Sequence, residues 1–97
     1  MRNPARRFYE ELRALEGSAV AARQTAGLPS SRREAARVAK SLGVALDSRR
    51  ISSWLPDDPA SAQVPRDTEA DKVWALIYVW SHWAGIPPPQ QQPTGGT

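Results

Sequence analysis

Apolar side chains are concentrated in one stretch near the C-terminal end of the chain, from Lys72 to Ala84, with the sequence KVWALIYVWSHWA. It holds three of the four Trp residues, and its apolar positions recur every three or four residues, which places them on one face of a helix. The stripe consists of Val73, Leu76, Ile77, Trp80 and Ala84, with Trp83 at its border. This pattern predicts a helix at the centre of the core.

Three apolar residues of the same stretch, Trp74, Tyr78 and Val79, fall outside the stripe. Spare apolar surface on a small domain is typical of a contact with another protein. These residues are therefore candidates for a partner interface, either in a homodimer or with a different protein. The alternative is that the other helices of the domain cover this second face as well.

Three more helices are predicted before this one. Phe8, Leu12 and Leu15 have the i, i+4, i+7 spacing of a first helix. Gly17 either ends that helix or lies inside a longer one that ends at Gly27, because the residues between the two glycines again favour helix. Both alternatives fit the pattern.

A second helix is predicted to begin at Ser31, which can form an S-x-x-E capping box with Glu34. Its apolar face consists of Ala35, Val38, Ala39 and Leu42. Its opposite side carries Arg33, Arg37 and Lys40. The pattern therefore predicts an amphipathic helix whose outer face is basic.

A third, short helix follows, with Asp47 or Ser48 as its N-cap and Pro56 as its stop. Its apolar positions, at i, i+3 and i+4, are Ile51, Trp54 and Leu55. Its outward positions are Ser48, Arg49, Arg50, Ser52 and Ser53. We expect this helix to be anchored in the core on one side and to present hydrogen-bonding groups on the other.

Together these elements predict an all-α fold, a small bundle of four to five helices with helix-turn-helix character. Residues 57–67 contain two Pro and no helical period, so they are predicted to form a surface loop. The predicted domain covers residues 1–86. Residues 87–97, PPPQQQPTGGT, have the composition of a disordered tail or linker, which predicts the N-terminal module of a longer protein.

Residue types that usually perform catalysis or bind metals are scarce. The chain has no Cys and one His, His82, so it lacks the usual ligands of a zinc site and the means to form a disulfide. Without a nucleophile to pair with His82 or a glycine-rich phosphate loop, we predict neither an enzyme nor a cofactor. No apolar run has the length of a membrane span, which predicts a soluble, cytoplasmic protein.

Charge is distributed unevenly along the chain. Residues 1–50 carry eleven Lys and Arg against five acids, whereas residues 51–97 carry two against five. A basic surface of this kind is typical of a protein that binds a polyanion, most often a nucleic acid, and duplex DNA is the predicted partner. The alternative is a solvated helix face on which Arg and Glu pair with each other.

A basic helix followed by a short polar helix is the arrangement of a helix-turn-helix module, in which the first helix crosses the phosphates and the second reads base edges. Arg is the best match for guanine, and Ser can contact either base type. The residues predicted to read bases are Arg49, Arg50, Ser52 and Ser53. Those predicted to contact phosphates are Arg32, Arg33, Arg37 and Lys40.

Four segments of the chain, FYEELRAL, AGLPSSRREAARVA, RRISSWL and VPRDTEADKVWALIYVWSHWAG, together resemble the lambda-repressor-like (Xre-type) helix-turn-helix domains at the N-terminus of larger actinobacterial proteins. The resemblance implies a DNA-binding module in transcription regulation. It places Ser31, Arg33, Glu34 and Ala36 in the first helix of the motif and Ile51, Ser52, Trp54 and Leu55 in the recognition helix. The segment from Ala36 to Ile51 is longer than in the compact motif. Such domains can also lose DNA binding and serve as protein-interaction modules.

Overall fold

The structure is a computed structural model and describes residues 4–86, with side chains from Arg6 onward. In this range the chain forms four α-helices and two short 3-10 turns, and it contains no strand. The helices are α1 (Pro4–Thr25), α2 (Arg32–Ser41), α3 (Ser48–Trp54) and α4 (Ala70–Ala84), and the turns are Pro59–Ser61 and Asp67–Glu69. The predicted all-α bundle is confirmed. The predicted tail at 87–97 lies outside the described residues.

The first helix is continuous through Gly17, so of the two alternatives the single long helix is correct. Gly27 stops it with a left-handed backbone (φ 72°), a conformation that glycine adopts without steric cost. α2 has the predicted N-cap, because the Ser31 hydroxyl accepts a hydrogen bond from the Glu34 backbone N–H at 3.1 Å. The predicted capping box is only half formed, since the Glu34 carboxylate accepts from Arg37 instead. For α3 the N-cap is Asp47, whose carboxylate accepts from the Arg50 N–H at 2.9 Å.

One hydrophobic core joins all four helices. α4 packs against both α1 and α2, and α3 packs against α2. The core-facing residues of α3 are Ile51, Trp54 and Leu55, all of them completely or almost completely buried as predicted. Tyr9 of α1 is also buried, and its hydroxyl donates to the Pro56 carbonyl at 2.9 Å, which ties α1 to the end of α3.

Two apolar residues do not lie where the pattern placed them. Leu42 was assigned to the buried face of α2 but is 53% exposed, because the helix has ended and Leu42 is its C-cap. Val79 was assigned to an outward face of α4 but is only 1% exposed. α4 is covered by two neighbouring helices, and its buried large apolar residues are Leu76, Val79, Trp80 and Trp83. The other members of the predicted stripe, Val73, Ile77 and Ala84, are only partly buried.

Candidate nucleic-acid interface

Three cations of α2 lie on its outer face and are exposed: Arg33, Arg37 and Lys40. Their spacing of i, i+4 and i+7 follows the side opposite the buried residues Ala35 and Ala39. The three line a shallow pocket together with Leu46, Asp47 and Ser48, so the start of α3 borders the outer face of α2. Two elements predicted separately from the sequence therefore form one surface.

Arg49 is the next residue of α3 after Ser48, and it too is exposed. It does not line that pocket. We call these four exposed cations, three on α2 (Arg33, Arg37 and Lys40) and Arg49 on the adjoining α3, the cationic face. Arg37 is paired with Glu34 at 2.6 Å, but its side chain remains 68% exposed. Among the residues that the structure describes, the other three cations make no ion pair and no cation-π contact.

The ion pair between Arg37 and Glu34 shifts the pKa of both side chains. The hydrogen bond from Arg37, together with the charges of Arg37 and Arg23, lowers the pKa of Glu34. The same hydrogen bond raises the pKa of Arg37, so the guanidinium stays charged. Because the Arg37 side chain is 68% exposed, it is still accessible to an anion from solvent, and an ion pair at the surface is weak.

Arg50 does not belong to the cationic face, which corrects its prediction as an outward base reader. Its Nε and Nη2 donate to the two carboxylate oxygens of Glu69, the second at 2.6 Å. Its Nη1 donates to Gln63 at 3.1 Å, and its guanidinium lies over the ring of Trp54 at 5.7 Å from the centroid. All three guanidinium nitrogens are therefore engaged within the protein.

Glu69 is a buried acid at the entry to α4. Besides the two bonds from Arg50, it accepts the Arg66 backbone N–H at 2.9 Å. The hydrogen bonds from Arg50 and then from the Arg66 backbone lower the pKa of Glu69 to about 2. The Glu69 carboxylate is therefore ionised at neutral pH and holds α3 to the segment that leads into α4.

Arg32 is likewise turned inward, which corrects its prediction as a phosphate contact. Its Nε and Nη2 donate to the two carboxylate oxygens of Glu16 on α1, at 2.6 and 3.0 Å. The hydrogen bond from Arg32 to Glu16 raises the pKa of Arg32. Its Nη1 donates to the Ser52 hydroxyl at 3.1 Å. Arg32 therefore connects α1, α2 and α3.

The two predicted serine readers are also engaged. The Ser53 hydroxyl donates to the Arg50 carbonyl at 2.7 Å and lies 3.3 Å from Arg50 Nη1. The Ser52 hydroxyl accepts from Arg32, although Ser52 itself is exposed. Of the four predicted readers, only Arg49 has a side chain without a hydrogen-bonding partner in the described part of the chain.

Sequence reasoning missed the two acids that orient these arginines, Glu16 and Glu69. They lie 16 and 19 residues away along the chain from the arginines that they bind. Helical periodicity relates residues three or four positions apart, so it indicates neither of these long-range pairs. The sequence offers no signal that would have selected them.

Of the three residues predicted to contact a partner, two lie at the surface of the domain. Tyr78 is 49% exposed and Trp74 is half-buried, whereas Val79 belongs to the core and is removed from the interface. Trp74 borders an apolar groove at the entry to α4, whose other apolar lining residues are Phe8, Val64, Pro65, Ala70 and Val73. A separate pocket lies between α1 and α4, lined by Phe8, Leu12, Leu15 and Ile77.

Among residues 4–86, no three His, Cys, Asp or Glu side chains are grouped so that they could hold a metal ion. The single histidine, His82, is exposed on α4. No helix in this range is both long and apolar enough to cross a membrane.

The fold and the surface together define a small all-α domain with a short helix beside a cationic helix. Comparison with known proteins does not assign the domain to a family: no protein-family model matches the chain, and no match was found among curated proteins or solved structures.

Proposed function

We propose that this domain binds duplex DNA through the cationic face, with α2 against the phosphates and the N-terminal part of α3 in the major groove. The observation that carries the proposal is the exposure of four cations on two helices that pack together. Three of them, Arg33, Lys40 and Arg49, have no ion pair in the described chain, and the fourth, Arg37, is 68% exposed. It agrees with the resemblance to helix-turn-helix domains.

The electrostatics of the face favour a polyanion. Its four cations are accompanied by two acids, Glu34 and Asp47, so the surface keeps a net positive charge of two. Both acids are engaged, Glu34 with Arg37 and Asp47 with the N-terminus of α3. Cations that neutralise phosphates release condensed counterions, and this release makes the binding dependent on salt.

The size of α3 suits the major groove. An α-helix with its side chains is about 10–12 Å in diameter, and the major groove of B-DNA is about 12 Å wide, so the groove admits it. Arg49 is the second residue of α3. In helix-turn-helix domains the N-terminal residues of the recognition helix are the ones that contact base edges. Arg33, Arg37 and Lys40 would then follow the phosphates that flank the groove.

Replacing Arg33 with alanine is expected to reduce the salt dependence of DNA binding. The slope of log K against log salt should become shallower by about one unit, because one fewer phosphate is neutralised. Fluorescence anisotropy with a mixed-sequence duplex at several salt concentrations measures this slope.

Arg66→Ala is the matched control, because Arg66 is also exposed but lines the apolar groove rather than the pocket beside α2. This variant removes the same charge and should leave the slope nearly unchanged. If wild-type protein fails to bind the duplex at low salt, or if both variants change the slope equally, the proposed interface is wrong.

A second candidate function is a homodimer through the outer side of α4. Tyr78 is a large exposed aromatic residue, and Trp74 lies one turn before it beside the apolar groove. Aromatic residues beside an apolar groove are typical anchors of protein interfaces.

Trp74→Glu is expected to weaken such a homodimer by about thirtyfold or more, because a hot-spot aromatic is replaced by a charge that would be desolvated in the interface. Light scattering over a range of protein concentrations measures the change, and circular dichroism shows whether the helices persist. Tyr78→Glu, at a more exposed position, should have the same effect with less influence on folding. A wild-type protein that stays monomeric at high concentration excludes the homodimer.

A further inference from the structure

The recognition helix of the proposed DNA-binding site is held from two sides by arginines that do not belong to the cationic face. On one side, Arg50 binds Glu69 at the entry to α4 through two parallel hydrogen bonds. On the other side, Arg32 forms the same kind of bidentate pair with Glu16 of α1, and its Nη1 donates a hydrogen bond to the Ser52 hydroxyl of α3. We call these two pairs the α3 clasps.

α3 needs such support because it is short. Seven residues form about two helical turns, and an isolated helix of this length is not stable in water. Its core side is fixed by Ile51 and Trp54, but apolar packing alone specifies the rotation of a two-turn helix weakly. A planar guanidinium that forms two bonds with a carboxylate adds directional constraint.

We propose that Arg32 and Arg50 are positioning residues for DNA binding, which fix the orientation of α3 through Glu16 and Glu69 and do not themselves contact DNA. This inference rests on the proposed function. An acid near a DNA-binding surface is ordinarily expected to weaken binding, because it repels the phosphates. Here Glu69 and Glu16 are expected to strengthen binding, because they orient α3.

The decisive experiment measures the affinity of Glu69→Gln for a mixed-sequence duplex. If Arg50 acts through Glu69, the variant binds about tenfold more weakly, because the orientation of α3 is lost. If Arg50 instead contacts a phosphate, removing the acid frees the guanidinium, and the variant binds more tightly than wild type. The two readings therefore predict changes of opposite sign.

Matched variants separate positioning from loss of folding. Arg50→Lys keeps the charge but cannot form the two-pronged bond, so it should weaken binding without changing the salt slope. In the Glu69→Gln background, Arg50→Gln should have little further effect, because both changes break the same clasp. Glu11→Gln, which removes an exposed acid of α1, should leave binding unweakened, and circular dichroism confirms that each variant is folded.

The outcomes separate this inference from the proposed function. Tighter binding by Glu69→Gln, or a salt slope that becomes shallower by about one unit in Arg50→Gln, which removes the charge, overturns the positioning role and leaves DNA binding intact. A wild-type protein that does not bind the duplex overturns the proposed function, and the positioning role falls with it.

Discussion

Replacing Trp54 with alanine is expected to lower the free energy of unfolding by about 3–5 kcal/mol, the usual cost of truncating a buried aromatic residue. Trp54 is 0% exposed and shares the core with Ile51 and Leu55, so its removal leaves a cavity where α3 meets the bundle. A domain of this size has a total stability of about 5–15 kcal/mol, and the loss is a large part of it. Urea denaturation followed by circular dichroism measures the change.

Trp54→Phe is the appropriate comparison. The indole N–H of Trp54 is buried and has no hydrogen-bond acceptor in the described part of the chain, so phenylalanine removes a polar group that is already unsatisfied. Its cost should be well below that of the alanine variant. Equal urea midpoints for wild type and Trp54→Ala would show that Trp54 is not a core residue and that α3 is not anchored as described.

Acidification is expected to destabilise the protein between about pH 5 and pH 2, with Glu69 as a principal cause. The pKa of this carboxyl is lowered from 4.5 to about 2 in the folded state. As the pH falls, the unfolded chain takes up the proton first, so the free energy of unfolding decreases across this window. Above it the full stabilisation is present, and below about pH 2 both states are protonated and it is lost. Thermal unfolding at a series of pH values measures the decline.

Glu69→Gln should flatten this decline, because glutamine does not titrate. The decline will not vanish, since the pKa of Glu34 is lowered as well and contributes in the same direction. Glu11→Gln, which removes an exposed acid of α1 that pairs with Arg7, is the control for the loss of one negative charge. An unchanged acid response in Glu69→Gln would show that the clasp with Arg50 does not form in solution.

Some features were predictable because they depend on neighbours in the sequence. The Ser31 cap needs only the Glu34 backbone three residues away, and the burial of Ile51, Trp54 and Leu55 follows from their spacing. The basic outer face of α2 follows from the same periodicity. These local rules were sufficient for the all-α class and for part of the candidate site.

Other features depended on which elements meet. Val79 is buried because two helices cover α4. The number of helices that pack against α4 cannot be predicted from the apolar pattern of α4 alone. Leu42 is exposed because α2 ends before it, and the exact end of a helix is set by caps and packing.

The sequence by itself determined the helical class, the main core anchors and the presence of an excess of cations in the first half of the chain. Only the tertiary structure decided which cations are accessible. Arg49 and Arg50 are adjacent and chemically identical, yet Arg50 binds an acid 19 residues away while Arg49 faces solvent. The physical reason is that consecutive helical residues point about 100° apart, so the packing of α3 on its neighbours brings only one of them within reach of Glu69.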